Sequence, residues 1–163
     1  MSAPRTLVLA WGNPGRRDDG LGPACAARLE AAALPGVAVE WDYQLQVEDA
    51  AEAARHERVV FVDADRSRGR APWRLERLRP APGRPSFSTH SVAPGEVLAL
   101  AGELFGRTPE AWLLGIRGYD FDGFGEGLSR GARANLESAC DELSRWLGGD
   151  AVRGTPAGAE GNP

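Results

Sequence analysis

The run Thr6-Leu7-Val8-Leu9-Ala10-Trp11 has no polar residue after its first and stops at Gly12-Asn13-Pro14-Gly15. A strand with one wet face alternates apolar and polar residues; a strand without alternation has to be covered on both faces. The Gly/Asn/Pro cluster then ends it in a turn. A second run of the same kind, Arg58-Val59-Val60-Phe61-Val62-Asp63, is continuous and β-branched. These two segments predict central strands of a sheet with helices on both sides.

The intervening residues supply the helices. Leu21, Cys25, Leu29 and Ala32-Ala33 recur at intervals of three or four, and Pro35-Gly36 closes the segment. Residues 37–43 read as a strand and 48–55 as a short helix. Strands alternating with helices imply right-handed crossovers and a mainly parallel sheet. Trp73 to Leu78 alternates like a half-exposed strand with prolines behind it, which predicts an edge strand and hence a mixed sheet. A helix carrying Val97, Leu98, Ala101, Leu104 and Phe105 follows from Pro94, then a strand at 111–116. The last helix runs from about Ser129, a good N-cap, to Leu147 ahead of Gly148-Gly149. The expected organisation is one α/β domain over residues 1–149 and a flexible Gly/Ala/Pro-rich tail over 150–163.

Composition removes several functional classes. A chain of 163 residues can bury one core, since a fold of about 150 residues takes roughly 70% of its unfolded surface out of water. Its 42% hydrophobic and 26% charged residues are those of an ordinary globular protein. With 19 Lys+Arg against 23 Asp+Glu and the arginines scattered, no basic stripe for nucleic acid stands out. The first apolar run is far shorter than the roughly 20 residues of a membrane span, and no charged region leads into a signal-type segment, so a cytoplasmic protein is expected. Cys25 and Cys140 have no CxxC partners and read as buried or half-buried free thiols. His56, between charged neighbours, reads as a solvated residue. Neither GxGxxG nor GxxxxGK[ST] is present, and no GxSxG elbow, which disfavours nucleotide binding and serine hydrolysis.

Chemistry in an open α/β sheet sits in loops beyond the carboxyl ends of the strands. Asp18-Asp19 follow the first strand by one loop, Asp63 ends the third, and His90 lies in Thr89-His90-Ser91 before the next helix. Each alone has a plain structural reading: Asp18 or Asp19 as a helix cap, Asp63 as a turn residue, His90 as a surface residue. Together, two carboxylates and an imidazole from separate loops can make an open metal-recognition site.

Order, spacing and surrounding strands of these signals resemble the [NiFe]-hydrogenase maturation proteases. Gly12-Asn13 followed by Arg17-Asp18-Asp19-Gly20-Leu21-Gly22 is similar to that family's opening motif, Val62-Asp63-Ala64 to its second acidic motif, and Ser88-Thr89-His90 to its histidine loop. The likeness runs through Leu114-Gly115-Ile116-Arg117-Gly118-Tyr119 and Glu126-Gly127-Leu128-Ser129 and covers about residues 5 to 147. Ala10 stands where the family's first Gly is usual, beside bulky Trp11. The resemblance implies a three-layer α/β/α sandwich of the phosphorylase/hydrolase-like kind with a mostly parallel sheet of about five strands. It implies metal contacts at Asp19, Asp63 and His90; it supplies no nucleophile, and the chemistry of the donors leads us to expect that Asp19 or Asp63 activates water for peptide hydrolysis while the cation polarises the scissile carbonyl. The implied activity is an endopeptidase that recognises nickel carried by the hydrogenase large-subunit precursor and removes a C-terminal extension, acting as a monomer. Two oxygen donors and one imidazole leave coordination positions open on a divalent ion, and imidazole suits nickel. The alternatives are a non-enzymatic nickel-binding chaperone or scaffold for hydrogenase assembly and a related protease whose substrate carries no metal. The segment 117–126 is expected either to form a substrate-facing rim or to be an ordinary connector.

Overall fold

The computed structural model describes residues 5–69, 71–83 and 92–149. His90 and the expected tail, 150–163, lie outside the described residues. Five strands form one sheet: β1 (Thr6–Trp11), β2 (Val37–Asp42), β3 (Arg58–Asp65), β4 (Trp73–Leu78) and β5 (Glu110–Arg117). Four α-helices accompany them: α1 (Leu21–Ala32), α2 (Asp49–Ala54), α3 (Pro94–Phe105) and α4 (Arg130–Gly148), with a 3-10 turn at Arg17–Gly20 before α1. The strand order is β2-β1-β3-β5-β4. All neighbours are parallel except β4, which runs antiparallel to β5 at the edge.

Why the central strands carry no alternation is visible in the two cores they feed. Val8 and Ala10 of β1, with Val60 and Val62 of β3, point into a layer made with α1 and α4, closed by Leu136, Leu143 and Trp146. Leu7 and Leu9, with Val59 and Phe61, point the other way, to α2 and α3. Successive side chains on a strand face opposite ways, so both parities have to be apolar when both faces are covered. Each fully buried Leu, Val or Phe contributes about 1.5–3 kcal/mol, which makes these two strands the stable floor of the site. The result is the α/β/α sandwich with a mixed sheet that the sequence predicts.

Close packing between β1 and α1 depends on glycine. A Cβ on Gly22 would run into the carbonyl oxygen of Trp11, and one on Gly12 into that of Asp19. Gly12 also has φ +145°, a backbone conformation that L side chains rarely adopt. One turn further along α1, Cys25 meets Cys140 of α4, the two sulfurs 3.3 Å apart and both thiols free and buried. Their shared hydrogen bond, and then burial, hold the Cys25 thiol well above its ordinary value. Local spacing sees no partner for either residue; helix packing supplies one.

Two expectations need correction. Asp63 is not the last residue of β3: the strand continues to Asp65, because β5 goes on pairing with it (Asp63 with Gly115, Ala64 with Ile116, Asp65 with Arg117) after β1 has stopped at the Ala10–Val62 pair. His56 is not solvated but 5% exposed. Its Nδ1 lies 2.9 Å from the carbonyl oxygen of Glu52, in the last turn of α2, which also accepts from Arg55 N. Among the described residues no helix is long and apolar enough to cross a membrane.

Candidate functional site

From β1 the chain passes through α1 to β2 on one side of the sheet; from β3 it goes on to β4 and β5 on the other. Neighbouring strands whose connections diverge leave a crevice beyond their carboxyl ends, the topological switch point where open α/β sheets bind ligands. Asp63 is the first β3 residue past the end of its pairing with β1 and stands at this crevice. The loop carrying Asp18 and Asp19 leaves the end of β1 beside it.

The two adjacent acids do different things, and neither caps α1 through its side chain. Asp18 is fully buried. Its Oδ2 accepts from Tyr119 N at 2.8 Å, Asp120 N at 2.9 Å and Ser129 Oγ at 2.6 Å, and its Oδ1 accepts from Ser129 N at 2.7 Å. Burial by itself would raise its pKa, but these four donors outweigh it and hold the carboxyl below its ordinary value. Ser129 is also the expected N-cap of α4, accepting from Ala132 N at 3.3 Å. One carboxylate therefore ties the first acidic loop to the start of the last helix. The same two loops are laced by Asp18 N to Asp120 O, Arg17 N to Gly125 O and Gly125 N to Gly15 O. Arg17, held at φ +51°, adds an ion pair with Asp120 at 3.3 Å.

Asp19 is oriented by one backbone donor, Asn13 N, on its Oδ2 at 2.9 Å, while Asn13 folds its own side chain back to Gly15 N. Its Oδ1 faces Arg66, whose Nη2 is 3.4 Å away. Asp63 is likewise oriented by one backbone donor, Ala64 N on Oδ1 at 2.8 Å. Burial, chiefly, pushes the Asp63 pKa up to about 6; the Ala64 N–H pulls it down, the charge of Asp19 raises it again, and Arg66 lowers it. Asp19 and Asp63 thus share one electrostatic neighbourhood, in which the Arg66 guanidinium acts on both. Each keeps an oxygen that no backbone group satisfies among the described residues, the condition for binding a cation. Such oxygen donors fit a divalent ion but are too few to hold one alone. Among the described residues no three His, Cys, Asp or Glu gather at metal-binding distance, and His90, the third expected donor, lies outside them.

Beside Asp63 opens a cleft of about 210 Å³, lined by Trp11, Asp65, Arg74, Glu76, Gly115 and Pro94, among others. Pro94 is the first residue of α3, so the helix entered from the His90 loop begins at this cleft. Trp11, next to the departure from the resembled motif at Ala10, stands edge-on to Phe61 with ring centroids 6.3 Å apart and forms one wall. Gly115, opposite Asp63 on β5, brings no side chain to this wall. The loop at 118–127 borders the acidic loop: Phe121 lies under the Arg66 guanidinium at 4.4 Å, and Phe124, 85% exposed, under that of Arg16 at 5.5 Å. Arg66 and the double service of Ser129 are the site features that the sequence reading misses. Only the position of Arg66, three residues past Asp63, hints at the first.

The mixed five-stranded α/β/α sandwich is a fold shared with solved hydrogenase maturation proteases. No protein-family model matches the sequence, and no curated protein matches it either. Solved structures do. The structure is similar to the [NiFe] hydrogenase maturation protease HycI of Thermococcus kodakarensis KOD1, with TM-score 0.68 at 22% identity over 90% of this chain and 94% of that one. It is similar to the hydrogenase maturating endopeptidase HybD of E. coli, with TM-score 0.67 at 20% identity over 94% and 98%. The [NiFe] hydrogenase maturation protease HybD of Thermococcus kodakarensis gives TM-score 0.60 at 26% identity over 88% and 99%.

Proposed function

We propose that this protein is an endopeptidase of hydrogenase maturation, which recognises nickel in the [NiFe]-hydrogenase large-subunit precursor and removes its C-terminal extension. The observation that supports this most is the Asp19–Asp63 pair: two carboxylates at the switch-point crevice, each fixed by one backbone N–H on one oxygen, with the other oxygen used by no backbone donor among the described residues. The fold shared with named maturation endopeptidases supplies the context.

In this reading Asp19, Asp63 and His90 complete the coordination of a nickel ion that the precursor brings with its own ligands. Recognition then tests whether metal insertion has taken place, and a precursor without nickel offers nothing to bind. The scissile peptide lies in the cleft beside Asp63. A carboxyl raised to about 6 is ionised at neutral pH yet basic enough to take a proton from an attacking water, the property a general base needs. Asp19 is the other candidate for this step, and the substrate's cation polarises the carbonyl. Asp18 has its lone pairs committed to four donors and serves as a positioning residue.

Incubation with nickel-loaded precursor, read by mass spectrometry, is expected to show loss of a C-terminal segment, and nickel-free precursor is expected to stay intact. Asp19→Asn and Asp63→Asn should each slow the cleavage at least a hundredfold. Stable binding without mass loss would instead identify a nickel-binding scaffold, and equal cleavage of nickel-free precursor a metal-independent protease.

A further inference from the structure

We infer that Arg66 is the resident counter-cation of the Asp19–Asp63 pair, closing it to free divalent ions and yielding only to an ion that arrives with ligands of its own. The inference rests on the metal-recognition reading given above and adds a specificity residue to it.

Three observations place the guanidinium in that role. Its Nη2 is 3.4 Å from Asp19 Oδ1, the oxygen not used by Asn13 N. It also lies near enough to Asp63, three residues before it, for its charge to act there. And it is held from outside by the ring of Phe121 at 4.4 Å, a cation–π contact on the loop that Asp18 fastens. An Arg cannot lose its charge at accessible pH, so the neutralisation is permanent unless the side chain moves. It can move: the side chain is 62% exposed, and it grips Asp19 through one long contact instead of a paired fork.

Two carboxylates facing each other attract any small dication in the cytoplasm. With Arg66 in place, a free ion has to dislodge a charge already stacked and paired, and it finds few protein ligands in return. An ion already held by donors of a bound substrate needs less from the site, and the contacts of the substrate offset the displacement. Arg66 thereby separates nickel presented on a protein from nickel in solution.

The test is calorimetric titration of the full chain with Ni²⁺ alone, comparing wild type, Arg66→Gln, Arg66→Lys and the double variant Arg66→Gln/Asp63→Asn. Arg66→Gln is expected to bind Ni²⁺ about tenfold more tightly than wild type, from the loss of one opposed charge. Arg66→Lys should return most of the way to wild type, and the double variant should lose the gain. Arg66 is exposed and its substitution leaves the core untouched, which a thermal melt of each variant checks. Equal or weaker binding by Arg66→Gln overturns the counter-cation role while leaving the metal site standing. No Ni²⁺ binding by Arg66→Gln overturns this inference, whereas the metal-recognition reading stands or falls separately, on whether nickel-loaded precursor is cut and nickel-free precursor is not.

Discussion

Asp18→Ala is expected to cost this fold about 3–5 kcal/mol, although the residue next to it in sequence carries the proposed chemistry. The substitution strands four donors: the amides of Tyr119, Asp120 and Ser129 and the hydroxyl of Ser129. A hydroxyl can turn to another acceptor, but three part-buried amides fixed in the backbone cannot turn, and an unsatisfied group costs about 1–3 kcal/mol where it is shielded from water. Against a total stability of about 5–15 kcal/mol, that is a large fraction. Asp18→Asn keeps one acceptor oxygen and turns an NH₂ toward N–H donors, so about 2–3 kcal/mol is expected. The pH dependence follows from the lowered pKa of Asp18. Its contribution is present above the unfolded value, near 3.8, and is lost as pH falls through the still lower folded value. Urea unfolding at pH 7.5 and again near pH 3 is the assay. The gap between wild type and Asp18→Asn should be widest at the higher pH and shrink at the lower, with the dependence on urea unchanged. A loss below about 1 kcal/mol for Asp18→Ala at pH 7.5 would refute the reasoning, because it would mean that the four donors find other partners at no cost.

Asp63→Asn should shift stability in the opposite direction. The folded pKa of Asp63, about 6, lies above the ordinary 3.8, so its carboxyl adds stability below about pH 4 and forfeits it as pH rises through 6. Ion-free protein carrying Asp63→Asn is therefore expected to be about 1–3 kcal/mol more stable than wild type at pH 7.5 and no more stable near pH 4, as measured by urea unfolding at both pH values. Lower stability than wild type at pH 7.5 would contradict it. Gly12→Ala is expected to destabilise by about 2 kcal/mol or more, because its Cβ meets the Asp19 carbonyl at a φ that only glycine adopts readily. The same melts measure it, and a change under about 0.5 kcal/mol would show that the turn has slack.

The elements legible in the sequence are those whose signal is local. β1 and β3 announce themselves because both faces are covered, β4 because one is not, and the N-cap at Ser129 because capping chemistry is written within one turn. What could not be read depends on partners far along the chain. The donors of Asp18 lie between 101 and 111 positions downstream, so nothing beside Asp18-Asp19 says which of the two is buried. Cys25 and Cys140 are 115 positions apart and meet only because α1 and α4 pack together. His56 misleads for a related reason: its charged neighbours describe the surface, while its ring reaches back one turn to a carbonyl at the end of α2. Asp63 is named correctly as the acid of β3, but its place at the switch point follows from β5 outrunning β1, a property of registers and not of residues.

The contrast within Asp18-Asp19 shows how such a site can be built at little risk to the fold. A carboxylate satisfied four times over is a structural fastener: its charge is lowered in energy by the fold, and no ligand can compete for it. A carboxylate given a single backbone donor, buried and set near another acid is stabilised by a cation: burial first, and then the charge of Asp19, raise the pKa of Asp63. Placing the fastener directly before Asp19 means that the backbone of the reactive residue is held through its neighbour, without using the oxygens that chemistry needs. The strain of the facing acids then falls on a crevice whose floor is the most deeply buried part of the sheet, which can bear it. Were Asp19 the satisfied member and Asp18 the exposed one, the loop would be as well anchored, but the carboxylate facing Asp63 would have no oxygen to offer.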